Sequence, residues 1–186
     1  MQRKARARIF FATEGHSEAA FCAWLQVICN EHGLSVHLDR PARMEWGGDP
    51  LALVTSAVRR RSESQRKAGI GHRHSLLLID TDRLDDGTGR SQEAIKRAAL
   101  AGLTLIRQVP CFEAVMLRLH SGHEKDVPRT AHDAEDRLER CWPGYDKPMT
   151  RHQLASHFAF ADLQRLAQVD EDMRRLLEIL GLPQLR

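Results

Sequence analysis

No stretch of the 186-residue chain approaches the roughly 20 consecutive apolar residues that a membrane-crossing helix needs. Its basic start, Met1 to Arg8, runs straight into a strand-like segment and shows no signal-peptide core or cleavage site. The expectation is a cytoplasmic protein with no membrane partner. Cysteine is scarce: Cys22, Cys29, Cys111 and Cys141 contain no CxxC pair, so a zinc ribbon is not indicated. The spacing of Cys22 and Cys29 puts them on one helix face, as expected for buried reduced thiols. No GxxxxGK(S/T) loop is present, so any ATP-driven step needs another chain. An excess of one charge is also lacking. The formal charge is +3, too small for the whole chain to act as a polyanion binder. Internal repeats and long low-complexity segments are absent too.

Hydrophobic residues make up 42% and charged residues 28%, which suits one packed domain. Residues 9–13 (IFFAT) form a short strand-like run that ends at the turn signal Glu14-Gly15. Ser17 then reads as the N-cap of a helix over 19–31, with Phe21, Leu25 and Ile28 at helical spacing. A second strand is expected over 34–38. After Trp46-Gly47-Gly48, Asp49 reads as an N-cap before Pro50 and a helix over 51–67. The run 75–79 (SLLLI) is continuously apolar, as in a central parallel strand covered on both faces. A helix over 91–101 and a strand over 103–109 follow.

Strand and helix thus alternate. The fold expected is α/β, with a mostly parallel central sheet flanked by helices and a helical C-terminal part. We assign residues 1–120 to the core and 121–186 to a helical extension packed on it, with helices over 131–140, 151–158 and 162–180.

Acidic residues stand at two equivalent places. Glu14 follows the first strand, and Asp80 and Asp82 follow the third. In a parallel sheet, residues just past the carboxyl ends of strands gather at one edge, where ligands bind. Two carboxylates at i and i+2 can face one cavity and suit Mg²⁺, which takes oxygen ligands and keeps several waters. Glu14 can complete a cluster of three, whose mutual repulsion a cation relieves. The residues expected to carry catalysis are Glu14, Asp80 and Asp82, with Mg²⁺ (or Mn²⁺) as cofactor.

Basic residues cluster twice, at Arg3, Lys4, Arg6 and Arg8, and at Arg59, Arg60, Arg61, Arg66 and Lys67. The second patch, with Arg59, Arg60, Arg61 and Lys67, is a candidate nucleic-acid track or a solvated helix end. His16 stands close enough to Glu14 to meet a phosphate. His120 and His123 have ligand spacing but no third soft ligand, so zinc is not expected. Asp85-Asp86-Gly87 is similar to a calcium loop, but Leu84 falls where an oxygen ligand belongs.

Glu14-Gly15 after the first strand, with Asp80-Thr81-Asp82 after a later apolar strand, resembles the Toprim domain of topoisomerases, primases and nucleases. Over about residues 8 to 160 the chain is similar to the RloB-like family, a Toprim relative associated with phage defence. The residues that carry this likeness are Glu14-Gly15-His16-Ser17-Glu18 with Phe21, Gly48-Asp49-Pro50, Asp80-Thr81-Asp82, Pro110-Cys111-Phe112-Glu113 and Tyr145-Asp146-Lys147. The chain departs from the pattern at Gln108-Val109, where Ser-Asn is expected, and at Ser17, Ala20 and Phe21.

The resemblance implies that Asp80 and Asp82 hold the metal. Glu14 is then a general acid/base or a second-metal ligand, and Glu113 a further ligand or a helix-start glutamate. Lys147 is a candidate phosphate contact. The function expected is Mg²⁺-dependent nuclease chemistry on DNA or RNA. Its alternative is a non-catalytic nucleic-acid-binding or regulatory subunit acting with a partner ATPase. A haloacid-dehalogenase-like phosphatase, with Asp80 as nucleophile, leaves Glu14-Gly15 unexplained. Partners expected are nucleic acid, a separate ATPase and a second copy of the chain.

Overall fold

The apolar runs of the first and third strands are the centre of the sheet, because only these segments can be buried on both faces. A computed structural model describes residues 6–40, 48–84, 87 and 89–185. In it β1 (Ala7–Ala12), β2 (Val36–Asp39), β3 (His74–Asp80) and β4 (Thr104–Gln108) form one all-parallel sheet in the order β2-β1-β3-β4. The α/β architecture read from the sequence is the one found.

The pleat sorts the side chains onto two faces. Ile9, Phe11, Leu76, Leu78 and Ile106 point to one side, against Phe21, Leu25 and Ile28 of α1 (His16–Glu31). Phe10, Ala12, Leu77 and Ile79 point to the other, against α2 (Pro50–Ala68) and α4 (Gly89–Leu100). Phe10 and Phe11 are adjacent, each fully buried and on opposite faces. Burial stabilises each by about 1.5–3 kcal/mol. A short α3 (Thr81–Leu84) follows β3 directly.

The C-terminal helices α5 (Phe112–Arg118), α6 (Ala131–Cys141), α7 (Arg151–His157), α8 (Phe160–Ala167) and α9 (Glu171–Leu180) join the α1 side. One continuous cluster of buried residues runs from Ile9 to Leu182, so this half shares the core of the sheet. Cys22, Cys29 and Cys111 are buried free thiols, and Cys141 is half-buried and free.

Three helix starts follow different logic. Asp49 accepts from the Leu51 N–H at 3.0 Å, with Pro50 at the first helical position, as its sequence predicts. Helix α1 begins earlier than expected: its N-cap is Gly15, and Ser17 sits buried in the first turn. There the Ser17 hydroxyl accepts from the Met149 N–H at 3.2 Å, so it ties down a distant segment instead of capping. The single helix expected over 162–180 is two helices. Asp170 caps α9 by accepting from the Met173 N–H at 2.8 Å, which interrupts an apolar periodicity that otherwise continues. No helix among the described residues is long and apolar enough to cross a membrane.

Candidate metal centre

From β1 the chain crosses to β2 on one side, and from β2 it returns to β3 and β4 on the other. The carboxyl ends of β1 and β3 therefore flank the point where strand order reverses, the usual crevice of an open parallel sheet. Glu14 leaves β1 there and Asp80 ends β3. The Asp80 N–H donates to Glu14 Oε1 at 3.3 Å.

Glu18 is the third member, in the first turn of α1. Ligand oxygens of Glu14, Glu18 and Asp80 all lie within 4.8 Å of one another, and the three can hold a metal ion. Gly15 makes this packing feasible. A Cβ there would stand 2.7 Å from Glu18 Oε2, so any larger residue displaces that carboxylate. The Glu-Gly dipeptide thus has a physical reason beyond a turn: glycine leaves room for a second carboxylate folded back over the helix start.

The electrostatics are those of an uncompensated anionic cluster. Burial first, then the charges of Glu14, Glu18, Glu113 and Asp82, push Asp80 up to about 9. Burial raises Glu18 to about 7, with Glu113 adding to it against the opposing pull of its own N–H and of Lys147. Asp80 Oδ1 is buried and has no hydrogen-bond partner. A buried, orphaned carboxylate oxygen among other carboxylates fits a hard cation, which would satisfy the oxygen and relieve the repulsion together.

The centre opens into a cavity of about 480 Å³ lined by Gly15, His16, Phe112, Glu113, Lys147 and Pro148 as well as the three acids. His16 is exposed at its mouth. Glu113 is buried at the start of α5, but its carboxylate is engaged. Lys147 Nζ lies 2.7 Å away, and the Tyr145 hydroxyl donates at 3.3 Å. Burial raises Glu113, and the bond and charge of Lys147 outweigh it, holding this carboxyl below the ordinary range. Lys147 also reaches Glu135 at 3.2 Å. Next to Asp80 in the sheet register stands Gln108, 2% exposed, whose Oε1 is likewise buried without a partner.

The remaining candidates lie apart from this cluster. Asp82 is exposed on α3, its N–H bonded to Pro110 O at 3.0 Å, and it adds charge to the environment of Asp80. The basic patch on α2 lies at the other end of the sheet. Arg61 donates to Ala101 O at 2.7 Å, just before β4, and Ser64 accepts from Arg8, at the start of β1, at 2.8 Å. A helix between parallel strands runs back against them, so its C-terminal half sits at their amino ends. Arg61 and the Ser64 turn of α2 thus meet the amino ends of β4 and β1, whereas Glu14 and Asp80 stand at the carboxyl ends of β1 and β3.

His120 and His123 do not converge on a metal: His120 Nε2 lies 2.9 Å from His157 Nε2, and His123 Nδ1 lies 2.8 Å from Asp126. Arg3, Lys4, Trp46, Gly47, Asp85 and Asp86 lie outside the described residues. Glu18 and Gln108 are the residues sequence reasoning did not single out as ligands. A faint signal for Glu18 was its i+4 spacing from Glu14 across a glycine. A comparison with known protein families, with characterised proteins and with solved structures finds no match.

Proposed function

We propose that the acidic centre takes Mg²⁺ or Mn²⁺ and that the protein hydrolyses phosphodiester bonds in nucleic acid. The observation that carries this reading is the buried, partnerless Oδ1 of Asp80, packed with Glu14 and Glu18 at the switch point of the sheet. In this proposal Asp80 and Glu18 hold the cation. When bound, the cation supplies Lewis acidity at a phosphoryl oxygen and neutralises charge in the centre. Glu14, half-buried and open to the cavity, is the group placed to take a proton from the attacking water or to meet a second cation. Asp82 contributes negative charge from the solvent side. His16 and Lys147, at the cavity wall, are the groups positioned to meet a phosphate. The likeness to the RloB-like family extends the proposal to phage defence, with a separate ATPase as partner.

The test is incubation of the purified chain with plasmid, linear and single-stranded DNA and with RNA, in Mg²⁺, Mn²⁺ or EDTA. The expected result is metal-dependent cleavage, lost in EDTA and in Glu14→Gln, with nucleic-acid binding retained by the variant. A second reading is a binding or regulatory subunit. It is favoured by the contacts of α2 at the amino ends of β1 and β4, at the opposite strand ends from Glu14 and Asp80. Wild-type protein that binds nucleic acid but cleaves none of these substrates in either metal decides for it.

A further inference from the structure

The β2 edge of the sheet carries a second concave site, built from cations. Arg8 at the start of β1, Arg40 just after β2, and Arg60 and Lys67 on α2 line a cavity of about 420 Å³. Asp39 and Glu63 also line it, so among the described residues four positive charges face two negative ones.

Both carboxylates are already committed. Asp39 Oδ2 accepts from Arg8, from the Ser64 hydroxyl and from His72 Nε2, the last at 2.8 Å. The His72 side chain is completely buried, so this network is a fixed wall of the cavity. Burial raises Asp39, but the bonds from Ser64 and His72 and the charge of Arg8 outweigh it and hold it ionised, below its ordinary value. Glu63 lies 3.4 Å from Arg60 and 3.9 Å from Arg59.

The cations, by contrast, keep capacity to spare. Arg60 Nε is buried and makes no hydrogen bond. Lys67 is exposed and has no partner among the described residues. Arg40 spends one donor on Ala19 O at 3.3 Å. A buried guanidinium N–H left unpaired is costly, and an oxyanion with several acceptor oxygens is the ligand that removes the cost. Neither Arg59 nor Arg61 lines this cavity: Arg59 points along the helix to Glu63 and Arg61 is bound to Ala101 O.

We propose that this cavity is a phosphate-binding site, with Arg60 and Lys67 as its primary contacts and Arg8 and Arg40 as supporting charge. A phosphate group offers the needed charge and at least two free oxygens, whether it belongs to a free monoester such as a mononucleotide or to a polynucleotide. The site shares no residue with the acidic centre, so it stands or falls independently of the metal reading.

The probes are inorganic phosphate and adenosine monophosphate, titrated calorimetrically, and a fluorescent single-stranded oligonucleotide followed by anisotropy. Wild type is compared with Arg60→Gln/Lys67→Gln and with Arg66→Gln. Arg66 is an exposed cation of the same helix outside the cavity. We expect wild type to bind at least one probe and the double variant to bind it about tenfold or more weakly. Arg66→Gln should change affinity much less, and Mn²⁺ titration of the acidic centre should be unaltered in all three proteins. Binding of the mononucleotide identifies a free monoester as the source, and binding of the oligonucleotide alone identifies the backbone. Lys67→Glu, at an exposed position, replaces the double variant if thermal melting shows the latter unfolded. The proposal is overturned if wild type binds none of the probes. It is equally overturned if the cavity variant binds as tightly as wild type, or if Arg66→Gln loses as much, since diffuse charge then explains the binding.

Discussion

Glu14 Oε1 accepts a hydrogen bond from the backbone N–H of Asp80 at 3.3 Å, across 66 residues of chain. One acid is thereby fastened to the strand that carries the other, and the two are held together although their charges repel. The repulsion persists because the sheet fixes both strand ends, and a bound cation would relieve it.

Asp80→Asn and Glu18→Gln each remove one of the clustered carboxylates while keeping side-chain shape. Calorimetric titration with Mn²⁺ should show affinity at least about tenfold lower in each, as expected when one charged oxygen ligand is lost. Asp82→Asn should cost less than either, because Asp82 is exposed and stands outside the tight cluster. Equal losses for Asp82→Asn and Glu18→Gln would contradict the ligand set described above.

Gly15→Ala tests the room left for Glu18. The new Cβ would meet Glu18 Oε2 at 2.7 Å, so the carboxylate must swing away. The backbone at Gly15 is extended, φ −120°, and accepts alanine without strain. The expected outcome is a protein with unchanged circular dichroism and weakened Mn²⁺ binding. Wild-type affinity in this variant would show that Glu18 is not a ligand.

In metal-free protein, burial first and then neighbouring carboxylates push Asp80 up to about 9 and Glu18 up to about 7, from ordinary values of 3.8 and 4.5. Their raised values mean that folding takes up protons. The stability involved is full below the ordinary values and is lost as pH rises through about 7 and then about 9. In EDTA the protein should melt at a lower temperature at pH 9 than at pH 6, and saturating Mg²⁺ should narrow the gap. Asp80→Asn should flatten the dependence, with Tm gaining about 2–4 °C for each kcal/mol of relieved repulsion. Identical pH profiles for the two proteins would speak against a strained acidic centre.

Lys147→Met leaves the buried Glu113 without its cation. Lys147 is 47% exposed, so solvent screens part of the pair. A loss of about 1–2 kcal/mol at pH 7 is expected, below the 3–5 kcal/mol of a fully buried pair. Glu113 is held low in the wild type, so its contribution is present at neutral pH and lost on acidification. The variant and wild type should therefore converge in denaturant unfolding as pH falls through the carboxylate range. A constant difference down to pH 3 would point to packing instead of charge.

The cluster of three acids differs from the sequence expectation in one member, with Glu18 beside Glu14 and Asp80. Pairing Asp80 with Asp82 requires extended backbone, in which side chains at i and i+2 share a face. The chain instead turns into α3 at Thr81. Asp80 still belongs to the strand while Asp82 already lies in the helix, so the strand's alternation no longer relates the two, and Asp82 is exposed. Glu18 fills the vacated place from α1. On sequence alone it looks like an ordinary acid in a first helical turn, favourable to the dipole there. The α2 cations show the same limit, since clustering along a helix says nothing about which end of the sheet that helix end meets.

What the sequence by itself determined was local and periodic: the apolar runs of β1 and β3, the Asp49-Pro50 helix start, and acids at the ends of two strands. These follow from short-range sterics, capping and the pleat, which act within a few residues. The tertiary structure alone decided which acids meet, which are already neutralised and which cations face the same cavity. Those outcomes depend on strand order, on where α1 starts, and on segments as distant as Tyr145 to Met149 closing over Glu113 and Ser17. Burial and charge act through space, and the ends of the sheet exist only once the strands have paired.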